Sequence, residues 1–369
     1  MAEAVPEKHD PGDLSAQLDL GLAREAAGDW LGSCDAFRRA VAAHPGEPTA
    51  RLHLAHALER LQLHGDALLA YYRSITDAQK QGRWLNKATT PPEILDRVTH
   101  AMHFVKAGRR RAFEMVLEPV ARRHGGAALR RVENCLALHV GDRRATPGDP
   151  RQKPSFLYFP GLPTTPYFER SVFPWIDELE RQTDAIRNEL LAVLPRAERS
   201  ERVFANEAEE QQGLRASQGA PTWNGFYFYR HGERRDENRA LCPRTAAALD
   251  ALPLVHIREH APEVLFSVLT PGTHILPHRG VTNTRVVCHL PLIVPEHCAL
   301  VVGGETHRWR EGQAVVFDDT FEHEAWNRGT RTRVVLIIDV WNPHLSAAER
   351  EAVAVLIEAT GDFNKAAAA

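Results

Sequence analysis

The sequence predicts an α+β chain of more than one domain, in which a helical N-terminal part precedes a strand-rich part built as a jelly roll or barrel. Its 369 residues exceed one typical domain. Apolar and small residues recur at helical spacing from about residue 15 to 83, and after Pro221 short apolar runs alternate with turn signals. The predicted boundaries are a disordered tail at 1–14, a helical domain at 15–140, a linker at 141–154, a strand-rich domain at 155–345, and a C-terminal helix and tail at 346–369.

The helical part is predicted to begin at Ser15, a suitable N-cap, and it contains a 34-residue echo. The echo pairs Gly21 with Ala55, Ser33 with Ala67, Phe37 with Tyr71, and Ala40 with Ser74. This period resembles the tetratricopeptide repeat, whose helix pairs need neighbours to bury their faces. A plain bundle of helical hairpins is the alternative. In either case the helical stretch from about 92 to 138 supplies the neighbours.

The linker is predicted from Gly148 and from prolines on both sides of it, which break helices. Beyond it, residues 174–194 have the spacing of an amphipathic helix. Strands are predicted at 223–229, 264–269, 284–292, 299–302, 307–310, 314–317 and 333–341. Many short strands with turn signals between them indicate a double-sheet jelly roll or barrel. A capping box formed by Ser346 and Glu349 starts a last helix, predicted to end near residue 359.

Charge, cysteine content and hydropathy limit the binding partners and the cellular compartment to be expected. The formal net charge of −3 gives no general attraction to nucleic acid or to anionic lipid, so neither is an expected partner. The five cysteines are scattered without a C-x-x-C pair, which is typical of reduced, packing cysteines. The first residues lack the apolar core of a signal peptide, and no stretch approaches the length of a membrane span. A cytoplasmic location is therefore expected.

Two histidines in the strand-rich part, His278 and His323, are the strongest candidates for chemistry. They lie 45 residues apart, and Arg333 opens an otherwise apolar strand ten residues after the second. Imidazole suits iron, zinc, copper and nickel. A buried arginine needs an anion, and a planar guanidinium matches a carboxylate. Together the three side chains indicate a metal that works with a carboxylate-bearing co-substrate.

The third ligand that is usual in non-haem iron oxygenases is missing, because the residue two positions after His278 is Gly280. Two interpretations remain open. Either a carboxylate from Asp318, Asp319 or Glu322 completes the site, or the metal has only two protein ligands.

Several segments are similar to the aspartyl/asparaginyl β-hydroxylase family. They include Pro277-His278-Arg279-Gly280 and Phe321-Glu322-His323, and the remaining ones lie at 160–163, 173–175, 271–274, 283–285, 289–290, 317–319, 324–327 and 339–343. The resemblance covers about residues 155–345, with the N-terminal third similar in architecture only. It implies a double-stranded β-helix, a jelly-roll variant, and an oxygenase that depends on Fe(II), 2-oxoglutarate and dioxygen.

The resemblance also implies roles for individual residues. His278 and His323 would be the two protein ligands of the iron, with water at the position that Gly280 leaves open. Arg333 would bind the distal carboxylate of 2-oxoglutarate, Ser267 would assist it, and His289 would line the co-substrate pocket.

The chain departs from the eukaryotic members at Val287, where they carry a second arginine, although Arg285 remains on the same strand face. This departure weakens the expectation of the same acidic substrate side chain.

The implied reaction is hydroxylation of an aspartyl, asparaginyl or related amino-acid side chain, with succinate and carbon dioxide as co-products. Helical repeats often present a concave surface to an extended partner, so a peptide or protein substrate is favoured. Hydroxylation of a small molecule or a lipid acyl chain is one alternative, because a lipid A hydroxylase is a relative of this family. A non-catalytic cupin-like scaffold with partner-binding repeats is another.

Overall fold

The computed structural model describes residues 13–204, 206–217 and 220–369, and it divides the chain into two compact units. The first unit comprises Met1–Val116 with Ala359–Ala369, and the second comprises Leu117–Glu358. The division falls within two helices rather than at the linker predicted for 141–154. Most of the tail predicted at 1–14 lies outside the described residues.

The first unit is built from helix pairs. Its helices are α1 (Leu14–Ala26), α2 (Trp30–Ala43), α3 (Pro48–Arg60), α4 (His64–Lys80) and the first two thirds of α5 (Leu95–His124). The N-cap of α1 is Asp13, whose carboxylate accepts a hydrogen bond from the Ser15 amide, so the predicted cap at Ser15 is wrong by two residues.

The members of the 34-residue echo are all buried in this unit. Gly21 packs directly on the Phe37 ring, because a Cβ at Gly21 would lie 2.4 Å from a ring carbon. Ala55 and Tyr71 occupy the equivalent positions of the next helix pair and are fully buried. The spacing therefore corresponds to repeated packing positions.

The second unit contains two antiparallel sheets together with the remaining helices. The helices are the last part of α5, α6 (Arg130–His139), α7 (Ile176–Arg181), α8 (Thr183–Ala197), α9 (Glu207–Gly213), α10 (Asp236–Leu241), α11 (Pro243–Asp250) and the first half of α12 (Ala347–Ala368). The strands are β1 (Glu201–Arg202), β2 (Leu214–Ala216), β3 (Trp223–Arg230), β4 (Glu233–Arg234), β5 (Val264–Leu269), β6 (Thr273–His278), β7 (Arg285–Ile293), β8 (Cys298–Val302), β9 (Glu305–His307), β10 (Val315–Phe317), β11 (His323–Asn327) and β12 (Arg333–Trp341).

The larger sheet runs in the order β1-β3-β5-β12-β7-β10, with β4 paired to β3, and the smaller runs β2-β6-β11-β8-β9. One face of the larger sheet packs against α7, α8 and α11 through residues such as Ile186, Leu190 and Phe266. Its other face shares an apolar core with the smaller sheet, in which Val335 and Phe317 lie with Leu300 of β8. A helical region followed by an antiparallel-sheet region is thus confirmed.

Several predicted elements differ in detail from the observed ones. The helix predicted at 174–194 is two helices, α7 and α8, and the strand predicted at 307–310 is instead β9 at Glu305–His307. The last helix has the predicted capping box, with the Ser346 amide donating to Glu349 Oε2 at 2.9 Å, but it continues to Ala368. All five cysteines are buried and unpaired, and none of the described helices combines the length and apolarity needed to cross a bilayer.

Candidate functional site

His278 and His323 lie side by side on neighbouring strands of the smaller sheet. His278 ends β6 and His323 begins β11, and the antiparallel register of the two strands places these residues opposite each other. Their ring centroids are 4.0 Å apart. Residues separated by 45 positions in sequence are therefore brought within reach of a common ligand.

The backbone fixes the tautomer of both rings. His278 Nδ1 lies 2.8 Å from the carbonyl oxygen of Leu276, and His323 Nδ1 lies 3.1 Å from that of Phe321. A carbonyl oxygen can only accept, so Nδ1 of each ring carries a proton, and in the neutral form of either ring the lone pair lies on Nε2. Burial, with His278 alongside, lowers the pKa of His323 to about 3, so this ring is neutral near pH 7. Neutral imidazoles held in this way are suited to bind a metal.

A buried cluster of one arginine and two aspartates lies behind the histidines. Arg285 Nη2 is 3.1 Å from Asp319 Oδ2, and Arg285 Nη1 donates to Asp339 Oδ1 at 2.9 Å. Burial disfavours the charge on Arg285, but Asp319 and Asp339 outweigh it and raise the pKa of the guanidinium. Gly280 is required at its position because an added Cβ would lie 2.2 Å from Asp319 Cγ. The space that a side chain at position 280 would need is thus filled by Asp319.

The other two carboxylates considered from the sequence are engaged elsewhere. Asp318 is fully buried, and its oxygens accept hydrogen bonds from Gln152 and Thr320. Glu322 pairs with Arg279 at 2.9 Å on the surface. Over the described residues, no group of three or more histidine, cysteine, aspartate or glutamate side chains is arranged to hold a metal ion.

Arg333 and Ser267 face each other across the β5–β12 pair. Arg333 is 1% exposed, its Nη1 donates to Ser267 Oγ at 3.2 Å, and its Cζ lies 5.0 Å from the ring centre of Trp309. Its Nε has no hydrogen-bond partner among the described residues. Burial lowers the pKa of Arg333 to about 10, which leaves the group charged near pH 7. A buried guanidinium with no carboxylate partner in the described part of the chain fits an anionic ligand.

Ser267 is oriented by a residue whose role the sequence did not reveal. Trp223 Nε1 donates to Ser267 Oγ at 2.8 Å. Because Ser267 Oγ already accepts from Trp223 and Arg333, its own proton is left for a further acceptor. Nothing in the sequence spacing connects Trp223 with Ser267, which lies 44 residues away.

His289 lies on β7 within the same cavity. It is 6% exposed, its ring packs on Phe317 at a centroid distance of 4.9 Å, and its Nδ1 has no partner among the described residues. Burial, reinforced by Arg333, lowers its pKa, so His289 is neutral near pH 7. Its unsatisfied nitrogen is a second polar atom that fits a ligand.

One cavity of about 450 Å³ contains all five residues predicted for the site, His278, His323, Arg333, Ser267 and His289. Asp319, Arg285 and Trp223 also line it. The walls between them are largely apolar and include Leu265, Ile275, Val287, Leu300 and Ile337. The structure therefore brings the predicted site residues together around one space of ligand size.

The segment 152–157 is hydrogen-bonded to the two loops that adjoin the histidines. Gln152 is fully buried and donates to Asp318 Oδ2 at 2.6 Å, and the Lys153 amide donates to the Thr320 carbonyl at 3.0 Å. Further along, the Ser155 and Phe156 amides donate to the carbonyls of Gly280 and Val281 at 3.2 and 3.0 Å. One extended segment is thus hydrogen-bonded both to the loop after His278 and to the loop before His323.

Comparison with known proteins agrees with this geometry. The family model described as aspartyl/asparaginyl beta-hydroxylase matches residues 180–343, which include both histidines, Ser267, His289 and Arg333. This region of the chain belongs to the aspartyl/asparaginyl β-hydroxylase family. The human aspartate beta-hydroxylase domain-containing protein 2 is 37% identical over 205 residues, which cover 55% of this chain and 54% of that protein.

Two further relatives show the breadth of the family. The human aspartyl/asparaginyl beta-hydroxylase is 32% identical over 62% of this chain and 30% of its own length. The ornithine lipid ester-linked acyl 2-hydroxylase of Rhizobium tropici is 34% identical over 52% of this chain and 66% of its own length. The chain spans about half the length of the human aspartate beta-hydroxylase domain-containing protein 2. A crystal structure of a Pseudomonas putida prolyl-4-hydroxylase aligns with 43% of this chain and 87% of its own at 17% identity, but its TM-score of 0.24 is too low to bear on the fold.

Proposed function

We propose that this protein is a 2-oxoglutarate- and Fe(II)-dependent dioxygenase that hydroxylates an amino-acid side chain, aspartyl, asparaginyl or a related one, of a peptide or protein. The observation that carries the proposal is the pair of adjacent rings, His278 and His323, whose centroids are 4.0 Å apart and whose Nδ1 atoms both donate to backbone carbonyls. Membership of the family supports the same reaction class.

The residues that line the cavity fit Fe(II) and 2-oxoglutarate, the two groups that this reaction requires. Two neutral imidazoles are good ligands for Fe(II). Arg333, with its unpartnered Nε, and Ser267, with its uncommitted proton, fit the distal carboxylate of 2-oxoglutarate, and His289 offers a further polar atom. Bound iron would supply the oxidative chemistry.

The atoms of the reaction balance without a further reductant. One oxygen atom of dioxygen enters a substrate C–H bond, and the other enters succinate, while 2-oxoglutarate loses one carboxylate as carbon dioxide. In this scheme Arg333 and Ser267 orient the co-substrate, and the apolar walls limit access of water. The Nδ1 bonds of both histidines hold the rings in a fixed orientation.

Finer features of the fold belong to the same proposal. We infer that the two sheets form a double-stranded β-helix and that the helix pairs of the first unit are tetratricopeptide repeats that recruit a polypeptide. The lipid hydroxylase from Rhizobium tropici, 34% identical, keeps an acyl-chain substrate as a second candidate.

Anaerobic titration with Fe(II), followed by succinate release from 2-oxoglutarate in air, tests the reaction class. We expect one iron per chain and slow succinate release without substrate, and His278→Ala or His323→Ala should abolish both. His103→Ala changes an exposed histidine of the helical unit and serves as the control. Absence of iron binding and of succinate release in the unsubstituted protein would favour a non-catalytic scaffold.

A further inference from the structure

The cations that line the cavity are already paired, with one exception. The two terminal nitrogens of Arg285 form ion pairs with the buried carboxylates of Asp319 and Asp339. Arg230, nearer the surface, pairs with Glu201. Only Arg333, of the guanidiniums that line the cavity in the described residues, has no carboxylate partner, and the proposed reaction assigns it to 2-oxoglutarate. No lining guanidinium is therefore left for a carboxylate on the substrate.

The carboxylates that line the cavity outnumber the remaining cations. With Arg333 set aside, the charged lining consists of two arginines and four carboxylates, Arg230, Arg285, Glu259, Glu263, Asp319 and Asp339. Position 287, two residues before His289 on the same face of β7, is a buried valine and adds no positive charge. A substrate carboxylate would thus enter a region of net negative formal charge.

Glu263 also lines this cavity and offers an acceptor. Its side chain is 27% exposed, and Oε1 accepts from the His231 amide at 2.5 Å and lies 2.8 Å from His231 Nδ1. Oε2 has no partner among the described residues. The Glu263 amide donates to Asp339 Oδ2 at 3.0 Å, which brings two carboxylates close together. Burial, with Asp339 nearby, raises the pKa of Glu263 to about 7, and a cationic ligand would relieve that cost.

We propose that the substrate side chain is a basic one, lysine-, arginine- or ornithine-like, whose cation binds Glu263 Oε2 while one of its C–H bonds faces His278 and His323. This inference rests on the proposed function and narrows it, because it excludes an aspartyl side chain. The apolar walls at Leu265 and Ile337 would accommodate the methylene groups of such a side chain.

Matched peptide pools test the proposal. Pools with lysine, arginine, asparagine or aspartate at one central position, and the free amino acids, are incubated with iron-loaded full-length protein, 2-oxoglutarate and air. Mass spectrometry detects a gain of one oxygen, and succinate is measured in parallel. We expect the oxygen gain in the basic pools only. Oxygen gain with free lysine or arginine but not with the pools would identify a small-molecule substrate of the same chemistry.

Substitutions at the cavity mouth give a second readout. Glu263→Gln should raise KM for the basic substrate at least tenfold. Glu237→Gln, at an exposed position outside the cavity, is the matched control and should leave both this KM and succinate release without substrate unchanged. Oxygen gain in the aspartate or asparagine pool, or in neither the pools nor the free amino acids while succinate release persists, would overturn the assignment of a basic substrate. Loss of succinate release in the unsubstituted protein would instead overturn the proposed function itself.

Discussion

Ser267 can be tested by removing a single hydroxyl. Its oxygen accepts from Trp223 and Arg333, so its proton is directed to a third group, which we take to be the distal carboxylate of 2-oxoglutarate. A neutral hydrogen bond contributes about 0.5–1.5 kcal/mol. Ser267→Ala should therefore raise KM for 2-oxoglutarate roughly 2- to 10-fold in a succinate-release assay. Arg333→Met should cost more, about 2–5 kcal/mol. Ser217→Ala, outside the cavity, is the control, and an unchanged KM in Ser267→Ala would refute this role.

Glu263 gives a pH dependence with a definite sign. Burial raises its pKa to about 7, above the value of about 4.3 for a glutamate in an unfolded chain. The folded state therefore holds this proton at pH values where the unfolded state has lost it, and stability falls as the pH rises through 7. Glu263→Gln keeps an acceptor for the His231 amide but does not titrate. We expect the melting temperature of the variant, relative to the unsubstituted protein, to increase from pH 5 to pH 8, and a constant difference would contradict this.

Individual site residues could be predicted where the short sequence around each of them is itself recognisable. His278, His323, Arg333, Ser267 and His289 were all identified from sequence and family resemblance, and all line one cavity. The role of Trp223 depends on pairing between β3 and β5, and that of Asp319 on its contact with Gly280. Such contacts join residues that are distant in sequence, so local spacing gives no sign of them.

At the level of elements, Gly280 shows how tightly the loop after β6 packs. Gly280→Ala places a Cβ 2.2 Å from the Asp319 carboxyl carbon, and displacing that carboxylate would disturb its pair with Arg285. Overpacking of this kind costs about 1–3 kcal/mol. We expect a lower melting temperature and weaker Fe(II) binding for Gly280→Ala, and a larger effect for Gly280→Asp. Gly361→Ala, where helix α12 has open space, should be neutral or stabilising. Equal stability of Gly280→Ala and the unsubstituted protein would argue against this packing role.

The predicted strands match the observed ones best in the larger sheet. Strands β5 and β12 are apolar along most of their length because both faces of that sheet are covered, and such runs are easily recognised. Strand β6 alternates buried and half-buried residues and ends in exposed ones, so it was not predicted as a strand. The break between α7 and α8 at Gln182 involves neither glycine nor proline, which explains why one helix was predicted.

For the molecule as a whole, the composition of residues 141–154 predicts a linker, and Gln152 near its end is fully buried against Asp318. Gln152→Leu removes the donor and leaves the buried Asp318 with one partner fewer, which costs about 1–3 kcal/mol. We expect a weaker affinity for Fe(II) and an unchanged KM for 2-oxoglutarate once iron is saturating. Titration of iron binding in Gln152→Leu, with the exposed Gln211→Leu as control, measures this. Equal iron affinity in both variants would show that the contact is dispensable.

The segment 152–157 lies upstream of residues 180–343, the part of the chain that matches the family model. A shortened version trimmed to that match would retain both imidazoles and the guanidinium. It would also lose the backbone amides that tie the two loops to each other. Grafting or excising this domain should therefore start no later than about residue 150, because the loops beside the paired rings are hydrogen-bonded to a segment that the family-model match does not include.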